Sequence, residues 1–312
     1  MSSWRQLKLF SDRLLGNMGQ PMASNLLSAG YELRVYNRTK EKAEPLIKQG
    51  ATLVSHPREV AVPGGIVITI LANDHIVEDI VSGDDGILEQ LGPNGIHVSM
   101  STVAPATARR LAEHHQQHGI AYLASPVLGA PEAAAAKKLW IFLSGPQVAK
   151  ERVRPVLEAL SQGVFDFGEA PGAANVVKLT CNFLLGSALE AMAEGFALAQ
   201  KNGIERTKIA EVVSQTLFAC PAYERYGKLI AQERYEPAYL KLSLGLKDIN
   251  LVLQTAAESQ MPMPLASMLH DRFLAAIAKG RSDLDWTGVA LEATEDAGLL
   301  RGSENLSEQK AG

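Results

Sequence analysis

Before residue 170 this chain alternates short strand-forming runs with helical stretches, and after it no convincing strand-forming run remains. That change of character constrains the fold more than any other feature. The runs are Leu33–Tyr36, Thr52–Val54, Gly65–Leu71, Ile96–Met100, Ile120–Leu123, Leu139–Ser144 and Val164–Phe167. Several are continuously apolar, as strands covered by helices on both faces must be. Strand alternating with helix predicts a largely parallel, doubly wound α/β sheet. Ala173 to Gln200 then reads as one long helix with little Gly or Pro inside it, and amphipathic helices follow to about Ala297. The expected architecture is an α/β domain over residues 1–170, an all-helical domain over 171–298, and a polar tail over 299–312 that frays.

A chain of 312 residues has room for about two domains with stable cores. Its net charge of −4 gives no basic excess for nucleic acid. The longest apolar run, Gly64–Ala72, is far too short to span a bilayer, so no membrane partner is expected. MSSWRQLKLF lacks the apolar core and cleavage site of a signal peptide. Cys181 and Cys220 form neither a CxxC pair nor a disulfide framework, which places the chain by default in a reducing cytoplasm. No HExxH spacing occurs, and His114, His115 and His118 read as a solvated helix face, so no metal is expected.

The stretch LGNMGQPMASNL begins at Leu15. Gly16 and Gly19 fill the second and third places of a G-x-G-x-x-G turn, while Leu14 stands where the first glycine belongs. Met22, Leu26 and Leu27 line one face of the helix that follows, Gly30 is placed to end it, and the strand Leu33–Tyr36 comes next. A helix N-terminus in that setting attracts a dinucleotide pyrophosphate. At the end of the strand an NAD site usually places an acid for the ribose hydroxyls. Here Asn37, Arg38 and Thr39 stand instead, with Lys40 and Lys42 behind. A guanidinium and a hydroxyl suit a 2′-phosphate, so NADP is the expected cofactor.

Further motifs follow in order: MSTVAP from Met100, SPVLGAPEAAAAKKL from Ser125, NVVKLTCN from Asn175 and GLKDINLV from Gly245. With them the chain resembles the β-hydroxyacid dehydrogenase family, which includes 3-hydroxyisobutyrate dehydrogenases and glyoxylate/succinic semialdehyde reductases, over residues 15 to 299. The resemblance implies a Rossmann-type doubly wound sheet followed by an all-helical C-terminal domain. It also implies hydride transfer to a small-molecule carbonyl or hydroxyacid substrate, and a homodimer or homotetramer. The cofactor-binding set it implies is Gly16, Asn17, Met18, Gly19, Asn37, Arg38, Thr39, Leu71, Ser101, Thr102 and Lys247. Substrate falls to Ser101, Leu128, Gly129, Ala130 and Lys178. Lys178 becomes the acid/base and Asn182, one helical turn on, orients the substrate or the lysine.

Two departures matter. The family's Ser-Gly-Gly carboxylate cradle is replaced by Leu128-Gly129-Ala130, and the acid upstream of it by Ala124, which favours a less polar substrate. Imine reductases share the two-domain plan, so imine reduction is the alternative activity. The second departure is the first strand. Aligning the glycine motif puts Ser11, Asp12 and Arg13 at the end of a buried strand, unless Gln6–Phe10 forms that strand and SDRLL a longer loop. So abrupt an edge is what a shifted reading frame would leave. A non-catalytic oligomeric scaffold with impaired cofactor binding is therefore the rival from another class.

Overall fold

The computed structural model describes residues 6–10, as backbone, and residues 18–299. The chain divides into two compact units, Met1–Leu179 and Thr180–Gly312.

In the first unit, β1 (Gln6–Phe10), β2 (Glu32–Tyr36), β3 (Thr52–Leu53), β4 (Ile66–Thr69), β5 (Ile96–Ser99) and β6 (Ala121–Ala124) form a parallel sheet. Its order is β3-β2-β1-β4-β5-β6. The chain winds outward from β1 through β2 to β3, then crosses back to start β4 on the other side. Such a reversal opens a crevice at the carboxyl ends of the two strands beside it, β1 and β4. Every residue of β4 and β5 is buried, as the continuously apolar runs require of central strands. The connecting helices are α1 (Gly19–Ser28), α2 (Glu44–Ile47), α3 (Asp74–Ser82), α4 (Leu88–Leu91) and α5 (Pro105–Gln117). Asn73 caps α3 by accepting from the Ile76 N–H at 3.0 Å, and Pro105 opens α5 where no intrahelical donor is needed. Of the two placements open for the first strand, the structure has Gln6–Phe10, in register with Glu32–Tyr36. Ser11, Asp12 and Arg13 lie outside the described residues.

The runs at Leu139 and Val164 do not extend this sheet. They form β8 (Leu139–Leu143) and β9 (Ser161–Asp166) of a second, mixed sheet, with β7 (Val127–Leu128) antiparallel to β8. Pro126 has no N–H to continue β6, and its carbonyl instead accepts from Phe142. The two sheets join through reciprocal 3.0 Å hydrogen bonds between Ala124 and Ser144. Gly145 permits that approach: its φ is +136°, and a Cβ there would meet the Tyr122 carbonyl oxygen at 2.7 Å. Trp140 lies over Gly163, packs at a tilt against Phe165 with ring centroids 5.4 Å apart, and stays half-exposed. Two helices, α6 (Pro131–Ala135) and α7 (Gln147–Glu158), complete the unit before α8.

A polar chain crosses the packed space between sheet and helix. Thr69 Oγ1 lies 2.8 Å from His97 Nε2, His97 Nδ1 lies 2.9 Å from His115 Nε2, and His115 Nδ1 lies 2.6 Å from the Leu111 carbonyl. A carbonyl only accepts, so the proton order is fixed: His115 donates to Leu111, His97 to His115, and Thr69 to His97. Burial pushes the His97 imidazole well below its ordinary value, and His115 down to about 4. His115 thus corrects the expectation of a solvated histidine cluster. It falls four residues after Leu111 and eight after Thr107, on the inner face of α5.

The second unit holds the remainder of α8 (Ala173–Lys201), then α9 (Arg206–Gln215), α10 (Pro221–Ala231), α11 (Leu242–Glu258), α12 (Pro264–Ala278) and α13 (Ala290–Asp296). By length and composition α8 could cross a membrane. Here Leu189, Met192 and Phe196 on it are buried in a core shared with Ile230, Leu242, Phe273 and Trp286. Gly245 lets α11 press on Phe273, whose ring would lie 2.6 Å from an added Cβ.

Candidate functional site

Around the crevice, α1 begins at Gly19 without a side-chain cap and without an acid in its first turn. Its N-terminal end is therefore electropositive. Met18 is half-buried just before it, while Gly16 and Asn17, like Leu14, lie outside the described residues. At the end of β2 the Asn37 side chain is buried. Its amide nitrogen donates to the Thr39 carbonyl at 2.5 Å, and its Oδ1 has no hydrogen-bond partner. Arg38 and Thr39 are exposed beside it, and no acid stands at that strand end.

Past β4 and β5 the structure brings two expected residues together: the Leu71 N–H donates to Ser101 Oγ at 2.8 Å. Ser101 is buried and Thr102 half-buried. Asp74 accepts from the Ala104 N–H at 2.8 Å, which fastens the far end of this segment to the start of α3. The expected substrate segment runs through β7 into α6. Gly129 has φ +146°, and a Cβ there would meet Leu139 at 2.8 Å, so both conformation and space call for glycine. Leu128 and Ala130 on either side are half-buried. Asn25 on α1 donates to the Ala134 carbonyl at 2.7 Å, tying α6 to the helix that starts at Gly19.

On α8, Lys178 is 9% exposed and Asn182 4%. They stand one turn apart, on one face of the helix. In the helical unit, Asn182 Nδ2 donates to Asp248 Oδ2 at 2.6 Å, and Lys247 Nζ pairs with Asp248 Oδ1 at 2.8 Å. Asp248 is buried and joins two residues that the sequence singled out separately. Sequence reasoning assigned it no role. The available signal was an acid at a core position of α11, directly after Lys247. Among the described residues no cluster of three or more His, Cys, Asp or Glu could hold a metal.

A doubly wound sheet with an uncapped helix at its switch point is the plan of a dinucleotide-binding domain, and comparison with known proteins assigns the class. Residues 15–168 match the NAD binding domain of 6-phosphogluconate dehydrogenase. Residues 172–291 match the domain described as NAD-binding of NADP-dependent 3-hydroxyisobutyrate dehydrogenase. An uncharacterized oxidoreductase of Bacillus subtilis (strain 168), YfjR, is 47% identical over 88% of this chain and 96% of its own length. The 3-hydroxyisobutyrate dehydrogenase of Pseudomonas aeruginosa is 33% identical over 83% of this chain and 89% of its own. A crystal structure of 3-hydroxyisobutyrate dehydrogenase from Salmonella typhimurium has TM-score 0.83 at 26% identity, covering 91% of this chain and 99% of that one. The chain belongs to the 3-hydroxyisobutyrate dehydrogenase-like family of NAD(P)-dependent oxidoreductases.

The residues present fit such a cofactor. The uncapped first turn of α1 suits a pyrophosphate, and the buried, unpartnered Asn37 Oδ1 offers an acceptor at the strand end where an adenosine ribose is read.

Proposed function

We propose that this chain uses NADPH to interconvert a small carbonyl compound and its hydroxy form, with Lys178 as acid/base. The observation that carries this reading is the burial of Lys178 one turn before the buried Asn182. When bound, the cofactor supplies or accepts the hydride. The Lys178 ammonium gives a proton to the carbonyl oxygen as negative charge develops there, and the neutral amine takes it back in the reverse direction. Asn182, held by Asp248, orients the substrate or the amine.

Arg38 and Thr39 would hold the 2′-phosphate, the first turn of α1 the pyrophosphate, and Leu71, Ser101, Thr102 and Lys247 the nicotinamide end. Ser101, Gly129 and Ala130 would line the substrate, and Leu128 would narrow the choice to less polar molecules than a small hydroxyacid. That side chain is also what favours imine reduction as the second reading. Residues 1–170 would carry the cofactor and 171–298 the subunit contacts of a cytoplasmic homodimer or homotetramer.

The test is Lys178→Ala against glyoxylate, succinic semialdehyde, 3-hydroxyisobutyrate and cyclic imines. Turnover is expected to fall by about 10²–10⁴-fold with NADPH affinity nearly unchanged. Parental turnover on any substrate the chain accepts would remove Lys178 from the role.

A further inference from the structure

We infer that Asn175 is a positioning residue for this reaction: it pins the first turn of α8 to the segment that follows β5, and so sets where the Lys178 amine stands. The inference rests on Lys178 being the acid/base.

Asn175 is 1% exposed, an unusual place for an amide. Its Nδ2 donates to the Val103 carbonyl at 3.3 Å, across 72 positions of sequence. Val103 lies two residues beyond Ser101, whose hydroxyl is already fixed by the Leu71 N–H. Two further contacts hold the same turn of helix. Gly172 has φ +86°, and a Cβ there would come within 2.8 Å of the Pro105 carbonyl oxygen, so the backbone entering α8 lies directly on the start of α5. The Ala174 N–H donates to Ser144 Oγ at 3.2 Å from the second sheet. The turn is thus gripped by the backbone after β5 and by the end of β8.

Lys178 follows Asn175 by three residues and projects from the same helix face. Any slide or tilt of the first turn is therefore passed to the amine, and a misplacement of about 1 Å costs roughly 10²-fold in rate. An apolar side chain at position 175 would fill the space without the desolvation penalty that a buried amide carries. The amide adds a directed tie to Val103. It also leaves Oδ1 without a hydrogen-bond partner one turn before Lys178, as a surplus acceptor.

The experiment compares Asn175→Ala and Asn175→Asp with the parent and with Lys178→Ala, using the panel substrate that the parent turns over fastest. Both Asn175 variants are expected to lose on the order of 10²-fold in kcat, with KM for NADPH within about twofold of the parent. Asp has the shape of Asn, but its carboxylate cannot donate to Val103. Its protonated form can. The rate of Asn175→Asp relative to parent should therefore rise as pH falls, while that of Asn175→Ala stays level. Parental kcat for Asn175→Asp at neutral pH would reduce the residue to packing and overturn the inference. So would a loss shared equally between turnover and NADPH binding. If Asn175→Ala does not fold, the pH dependence of the Asp ratio decides alone. An active Lys178→Ala refutes the functional reading itself, whereas an inactive Lys178→Ala beside active Asn175 variants refutes only the positioning role.

Discussion

Arg38 is the side chain at which the proposed preference for NADPH can be put to the test. It stands exposed at the end of β2 beside Thr39, where an acid would favour the unphosphorylated ribose. Arg38→Ala is expected to weaken NADPH by roughly 1.5–3 kcal/mol, the value of a charge-assisted hydrogen bond, and to leave NADH almost untouched. Fluorescence titration with both cofactors measures this, and equal losses would mean that Arg38 holds structure only. Arg38 could be singled out from sequence because the signal is local: a strand end, a missing acid, a cation. Asp248 was not. Its partner Asn182 is 66 positions away, and no spacing rule connects them. Asn175 likewise acquires meaning only once Val103 is beside it.

At the scale of elements, β4, β5 and α5 are joined by the Thr69–His97–His115 chain. The charged and titratable groups around it are His114 and His118 at the end of α5, Tyr122 on β6 and Asp74 at the start of α3. Both imidazoles have folded values depressed below the ordinary 6.5, first by burial and then by neighbouring histidines. The unfolded chain takes up protons below 6.5 that the native state refuses, His115 until about 4 and His97 until well below its ordinary value. The stability they contribute is therefore whole above pH 6.5 and lost as pH falls, by up to about 1.4 kcal/mol per pH unit for each ring. Unfolding midpoints from neutrality down to about pH 5 should drop steeply for the parent and less for a His97→Phe, His115→Leu double variant. Equal slopes would discard the account. The strands themselves were readable because both-face burial leaves continuous apolar runs. Which sheet each joins was not, since Pro126 and Gly145 redirect the chain by backbone geometry that no hydrophobic pattern records. His115 was misread because three histidines in a polar helix look alike until one face is buried.

For the whole molecule, the decisive question is how well a sheet whose inner strand is β1 (Gln6–Phe10) is served by the sequence of residues 1–14. The family match begins at residue 15, and β1 pairs with both β2 and β4. Leu14 stands where a glycine normally permits the tight turn, and a branched residue forced to positive φ there costs about 1–2 kcal/mol. Replacing residues 1–14 by a short apolar strand ending in Gly should tighten NADPH and raise the melting temperature together. If the unaltered chain already binds NADPH at low micromolar levels, about −8 kcal/mol, Leu14 is no defect. The two tryptophans beyond Trp4 allow each compact unit to be watched by itself. Trp286 is enclosed in the helical core, whereas Trp140 lies half-exposed against Gly163 and Phe165. With Trp4 replaced by Phe, one indole remains per unit, the buried one emitting to the blue and the other to the red and open to iodide quenching. A single denaturation series resolved by wavelength then reports whether the units melt in one step or in two.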